Sequence, residues 1–162
     1  MKKTLLILMT LGLFACDQQT NQTQSLQKQI DSLEKKLENT YKPGFGDFMG
    51  SIQAHHSKLW FAGLYENWDL ADFEVHELME AIEDIEKFHE GREETLLIGM
   101  IMPPLDSISK AIEQKNTALF NSSYTSLTNT CNQCHKAVDM EYIIVKTPDT
   151  PPFSNQDFQP LK

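Results

Sequence analysis

Leu26, Ile30, Leu33 and Leu37 recur at steps of four, three and four, with Gln, Lys, Asp and Glu between them. That is the a/d row of about two heptads. It predicts a helix whose apolar stripe meets either a partner helix or its own domain. Tyr41-Lys42-Pro43-Gly44 breaks the pattern and marks a domain boundary. Phe45, Phe48, Met49, Ile52, Leu59, Trp60 and Leu64 then share one broad apolar face and predict a helix from Phe45 to Leu64, with His55 and His56 at its middle. Leu70, Phe73, Leu78, Ile82, Ile85 and Phe88 predict a second helix from Leu70 to His89, capped by Asn67 or Asp69 and closed near Gly91. Glu74, Glu77, Glu80, Glu83 and Glu86 lie between those apolar positions and read as a solvated face. The third stretch is apolar from Glu93 to Met102, should kink or restart at Pro103-Pro104, and resumes through Leu105, Ile108, Ala111 and Ile112. Met100 and Met102 read as core filler within it. The fourth stretch is the firmest. Asn116 is a good N-cap, and Phe120, Tyr124, Leu127, Cys131, Cys134 and Val138 come after it at steps of four and three. Glu141 to Val145 suits a short strand or an extended cover. Pro148, Pro151, Pro152 and Pro160 make the rest an irregular tail, whose Phe153 and Phe158 should pack on something.

The N-terminus carries a different signal. Met1-Lys2-Lys3 is basic and Thr4 to Phe14 is apolar, too short to span a bilayer as a mature helix. Leu13-Phe14-Ala15-Cys16 resembles the lipobox of bacterial lipoproteins, which implies cleavage before Cys16 and lipid on its thiol. An ordinary signal peptide is the alternative, and either one predicts export. Asp17 to Ser25 is a polar tether. The expected layout is a signal peptide over 1–15, a lipidated tether and stalk helix over 16–43, a helical domain over 44–146 and a Pro-rich tail over 147–162. The formal net charge of −9 argues against nucleic acid and suits either a basic protein partner or a plainly acidic soluble surface.

Candidate chemistry sits late in the fourth helical stretch, in Cys131-Asn132-Gln133-Cys134-His135. This C-x-x-C-H string is the attachment pattern for c-type haem. Each thiol can add to one haem vinyl group to form a thioether, and the adjacent His135 then lies under the porphyrin as an iron ligand. The cofactor expected is therefore haem c with its iron. A redox disulfide is one alternative, although such motifs open helices in a βαβ setting. A zinc site is another, and would need a fourth ligand from elsewhere.

Helical stretches with C-x-x-C-H late in the last one resemble the cytochrome c prime family, the class II cytochromes c, over about Phe45 to Met140. The resemblance implies an all-α fold, a four-helix bundle around covalent haem, with Cys131 and Cys134 carrying the haem and His135 as proximal ligand. Val138 and Asp139 depart from the aromatic and basic residues common there. An acid at 139 that pointed inward would hydrogen-bond the imidazole and lower the potential. In an up-down-up-down bundle the first and last helices are antiparallel neighbours, so the motif faces Met49 to His56. Met49, His55 and His56 are then candidate sixth ligands, and Ile52 an apolar lid over an open position. His56, seven residues after Met49, is expected on the distal side as ligand or as hydrogen-bond donor to one.

The function expected is a membrane-tethered mono-haem electron carrier outside the cytoplasm, and not an enzyme. The alternative is a nitric oxide or carbon monoxide binding module with an open sixth position. A third class is a stalked structural lipoprotein whose haem serves folding. Expected partners are a basic redox protein, a bacterial membrane reached from its periplasmic or outer side through the lipid anchor, and a second copy through the stalk.

Overall fold

The computed structural model describes residues 22–37, 40 and 42–161; the expected signal sequence, Cys16 and the start of the tether lie outside the described residues. The chain divides between Lys42 and Pro43 into two compact units. In the first, helix α1 covers residues 22–37. Leu26, Ile30, Leu33 and Leu37 are all exposed along it. Gln27 Nε2 donates to Asp31 Oδ1 at 2.9 Å, a same-face pair one turn apart.

The second unit is all-helical in its regular structure, with no strand among the described residues. Its elements are α2 (Phe45–Leu64), α3 (Trp68–Phe88), α4 (Glu93–Ile98), a 3-10 turn (Gly99–Ile101), α5 (Met102–Glu113) and α6 (Thr117–Ala137). Side chains set the helix starts. Asp47 Oδ2 accepts the Gly44 N–H at 2.8 Å before α2. Asn67 Oδ1 accepts the Leu70 N–H at 3.3 Å, so Asn67 rather than Asp69 opens α3. Asn116 Oδ1 accepts the Leu119 N–H at 3.0 Å and opens α6. The expected break in the third stretch falls at Gly99–Ile101, just ahead of the prolines. Pro103 and Pro104 instead occupy the first turn of α5, where the missing N–H has no helical acceptor to lose.

Three helices end alike. Glu66, Lys115 and Asp139 adopt left-handed φ values of 56°, 50° and 58° after α2, α5 and α6. The next N–H in each case reaches back to close the turn: Asn67 to Ala62 O, Asn116 to Ala111 O and Met140 to His135 O, at 2.9, 2.9 and 2.8 Å. Asp139 thus terminates α6. The strand alternative for Glu141 to Val145 is not realised, and turns leading into irregular chain take its place.

Helix α2 packs on α3 and α6, and α5 packs on the same two helices. Leu59, Val75, Leu78, Ile82, Ile85, Leu105, Ile108, Phe120, Tyr124 and Leu127 are fully buried between them. The segment Glu93–Glu113 is apolar enough to cross a membrane by composition and length. Here α5 spends its apolar face, Leu105, Ile108, Ala111 and Ile112, on this core. The expectation for α3 needs correcting. Phe73 is 53 % exposed and Glu74 is 1 % exposed, so the buried row runs Ala71, Glu74, Val75, Leu78, Ala81, Ile82, Ile85. Across from Glu74, α2 places His55 and Lys58. His55 Nδ1 lies 2.6 Å from Glu74 Oε2 and Lys58 Nζ 3.9 Å from Oε1. Burial pushes the Glu74 carboxyl up, and the His55 hydrogen bond pulls it partly back.

Helices α2 and α6 run antiparallel along an aromatic column. Trp60 lies 4.9 Å from Tyr124 and 6.5 Å from Phe120 between ring centres, and Trp68 meets Phe120 edge-on at 6.0 Å. Gly63 sits where the backbone of α2 comes closest to Phe120. A methyl group there would lie 2.1 Å from the ring. The tail returns across α2: Phe158 is buried against Phe61, and Asn67 Nδ2 donates to the carbonyls of Phe158 and Gln159 at 3.3 and 3.2 Å.

Gly63→Ala sets a helix-propensity gain of about 1 kcal/mol against overpacking of about 1–3 kcal/mol. A 2.1 Å contact with a fully buried ring cannot be relieved by a flexible chain end, so the clash dominates. Urea unfolding should show a lower midpoint for Gly63→Ala, and an unchanged or raised midpoint would refute the close approach.

Candidate functional site

Beyond the aromatic column, α2 and α6 enclose a cavity of about 860 Å³. That is within the range of clefts that hold cofactors. The first half of α2 supplies one wall, through Phe45, Met49, Ile52, Gln53 and His56. The end of α6 supplies the facing wall, through Thr130, Cys131, Cys134, His135 and Val138. Arg92, Glu94, Ile98 and Met100 form a third side, from α4 and the segments that flank it, and Ile143 to Lys146 a fourth.

The motif wall is built by helical spacing. Cys131 and Cys134 lie one turn apart on α6, both half-buried and free of any disulfide. Burial pushes the Cys131 thiol up to about 12, with the neighbouring Cys134 adding to the effect. Cys134 is raised too, first by burial and then by Glu94. Redox C-x-x-C pairs depend on a depressed thiol at a helix N-terminus. These thiols have the opposite shift and lie toward the C-terminal end of α6, a setting unlike that of a redox pair. For zinc, the described residues contain no group of three or more His, Cys, Asp and Glu side chains placed to hold a metal ion.

His135 is held by the chain beyond α6. Its Nδ1 donates to the Ile143 carbonyl at 2.7 Å, which fixes the tautomer and leaves Nε2 with its lone pair. Asp139, exposed and committed to the end of α6, is not the imidazole's partner. Asn132, inside the motif, binds the backbone of Val145 twice: Nδ2 donates to the carbonyl and Oδ1 accepts the N–H, both at 2.8 Å. The donor set therefore suits a covalent haem: two free thiols one turn apart, an oriented imidazole with one nitrogen to spare, and an apolar space before them.

On the opposite wall the structure brings Met49, Ile52 and His56 to the cavity. His55 turns instead to Glu74 on α3. His56 is buried, and both its ring nitrogens are engaged. Nε2 lies 3.0 Å from Thr128 Oγ1, and Nδ1 lies 3.0 Å from the Tyr124 hydroxyl. The Thr128 hydroxyl donates to the Tyr124 carbonyl at 3.0 Å, so its oxygen must accept from His56. With a neutral ring Nε2 then carries the proton, and the single Tyr124 O–H is shared between Nδ1 and the His56 carbonyl, which it reaches at 2.9 Å. Burial lowers His56 to about 4, consistent with a neutral ring. Both ring nitrogens thus meet side chains of α6, and His56 ties α2 to α6 at the edge of the cavity.

Several lining residues are not apparent from sequence pattern. Gln53 faces the cavity from the exposed side of α2, and Met100, expected as core filler, lines it as well. Arg92 Nη2 binds Glu94 Oε1 at 2.6 Å, and this guanidinium holds the Glu94 carboxyl below its ordinary value. Ile143 and Ile144 carry one usable signal, an apolar run directly after a cofactor motif. Asn132 carries none, because the two variable positions of C-x-x-C-H look alike in sequence.

The neutral His56 predicts a pH dependence. A buried imidazole lowered to about 4 stays unprotonated while the unfolded chain's imidazole titrates near 6.5. Its contribution is complete above pH 6.5 and is lost as pH falls toward 4, by about 3 kcal/mol. Glu74, raised on folding, acts in the opposite sense and cancels in a difference. Wild type should therefore lose about 3 kcal/mol more than His56→Gln between pH 7 and pH 4 in urea unfolding. Parallel pH profiles would contradict the neutral buried ring.

No family model, curated protein or solved structure matches this chain.

Proposed function

We propose that the unit beginning at Pro43 is a cytochrome c prime-like four-helix bundle holding one covalent haem c, and that the protein is an exported, membrane-tethered electron carrier. The observation that carries this reading is the convergence of Cys131, Cys134 and His135 on one wall of an apolar cavity of about 860 Å³, with His135 Nδ1 already bonded to the Ile143 carbonyl. Haem iron supplies one-electron exchange when bound. The chain's own residues do the rest. Cys131 and Cys134 fasten the ring, His135 presents Nε2, and Ile52, Ile98, Val138 and Ile143 exclude water from its faces. The partner is a basic redox protein, drawn to a chain of net charge −9. Export is inferred from the N-terminal signal, and anchoring from lipid on Cys16. The exposed row of α1 suits a second copy of the same helix, brought close by the shared membrane.

A second reading has its own support. With both His56 nitrogens engaged, the α2 wall offers iron a thioether at Met49 or an apolar lid at Ile52. The lid would leave the sixth position free for nitric oxide or carbon monoxide. A shift of the reduced spectrum under carbon monoxide favours this module, and an unmoved spectrum favours the carrier.

A denaturing gel stained for haem peroxidase activity should show a band at the mass of the chain when the protein is exported from a host with a haem-attachment system. Cys131→Ala combined with Cys134→Ala should abolish it; a band that survives the double substitution would sink the assignment. Cys16→Ser should release the protein from membranes or block its processing, since stable residence needs two or more acyl chains. Unchanged retention and mass would count against lipidation.

A further inference from the structure

The chain continues past the motif helix, and its next segment is fastened to the motif itself. After Asp139 ends α6, Met140 N–H returns to His135 O at 2.8 Å and Ile143 N–H bonds Met140 O at 2.9 Å. The chain then runs without regular structure along the mouth of the cavity. Ile143, Ile144 and Val145 line it, and Ile144 remains 77 % exposed. Two side chains of α6 hold this segment. His135 takes the carbonyl of Ile143, and Asn132 takes both backbone groups of Val145. Asn132 and His135 stand three residues apart on one face of the helix, so the two attachments are neighbours. Asn132 imitates a paired strand: a primary amide offers one donor and one acceptor at the spacing of a peptide group. It therefore holds Val145 with fixed register, and register is what places the Ile143 carbonyl over His135.

We propose that Asn132 is a positioning residue that locks residues 140–146 into a strap against α6, and that this strap holds the His135 imidazole and closes the proximal side of the haem cavity. The iron half of this inference rests on the function proposed above; the strap itself does not. The strap acts in two ways. A carbonyl on Nδ1 makes the imidazole a stronger donor to iron. And the apolar side chains Ile143 and Ile144, otherwise exposed, gain an apolar surface to cover. The position of an exposed Ile-Ile pair beside the motif is then explained by what the motif binds.

The test compares wild type, Asn132→Ala, Asn132→Asp and Gln133→Ala, each exported with haem-attachment machinery. Gln133 is the exposed variable residue of the same motif and serves as the control. Haem content is read first by pyridine haemochrome. Backbone amide exchange is then measured across 140–146 by mass spectrometry. The iron–imidazole stretch of the ferrous protein is read by resonance Raman, directly or after photolysis of its carbon monoxide adduct. Asn132→Ala should keep its haem, exchange the Val145 amide at least tenfold faster and move the stretch to lower frequency. Asn132→Asp keeps the acceptor for the Val145 N–H and loses the donor, so it should fall between the two. Gln133→Ala should match wild type in both readings. Wild-type exchange in Asn132→Ala would overturn the strap. Faster exchange with an unmoved stretch would overturn its role in holding the imidazole. A wild type without haem would overturn the proposed function, and with it the iron half, while the exchange result would still decide whether Asn132 holds the strap.

Discussion

The site depends on how α2 and α6 are held together at one end and kept apart at the other. Gly63 lets the backbone of α2 approach the Phe120 ring, and the column of Trp60, Phe120 and Tyr124 fills the space next to it. His56 closes this column with hydrogen bonds to Tyr124 and Thr128, all three groups buried on facing helices. Buried polar groups are costly unless fully paired, and this trio is paired throughout. It therefore fixes the register of the two helices. One turn further on, the side chains of α2 shrink to Ile52, Met49 and Gly50, and those of α6 to Cys131 and Cys134. The antiparallel pair that is tightly filled at Gly63 is open at Met49. A cavity at that point results from the order of side-chain sizes along two helices.

The other two sides come from interruptions in regular structure. The break at Gly99–Ile101 splits the third helical stretch, so the short α4 lines the cavity while α5 packs in the core. The cap at Asp139 ends α6 soon after His135 and turns the chain back toward it. Both features keep backbone near the motif that a continuous helix would carry away. The His135–Ile143 hydrogen bond arises from this return, and it fixes the orientation of the imidazole.

Much of this is legible in the sequence because period-3.6 rows dictate helices and asparagines dictate their starts. The Phe45–Leu64 face sets the true bounds of α2, and the row from Phe120 to Cys134 puts both thiols on the inward side of α6. The facing of Met49 to His56 with the motif comes from antiparallel helices of known rise. Pairings between distant elements stay hidden. Glu74 reads as solvated, since nothing along α3 shows that His55 and Lys58 stand across from it. Phe73 reads as buried because its size outweighs its one-position offset from the core row. His56 reads as free to bind iron, since Tyr124 and Thr128 lie 68 and 72 residues away in the chain. Asn132 reads as a spacer because its partner is a backbone group, which has no residue identity to read.

The central claim is that α2 and α6 hold a covalent haem between them, with His135 Nε2 on the iron. The most direct measurement is a crystal structure of the exported protein with an anomalous difference map collected at the iron edge. One iron peak is expected in the cavity between Ile52 and Cys134, with thioether density to Sγ of Cys131 and Cys134, and His135 bonded to iron through Nε2 with Nδ1 still on the Ile143 carbonyl. A cavity without iron, or an iron bound away from His135, would contradict it.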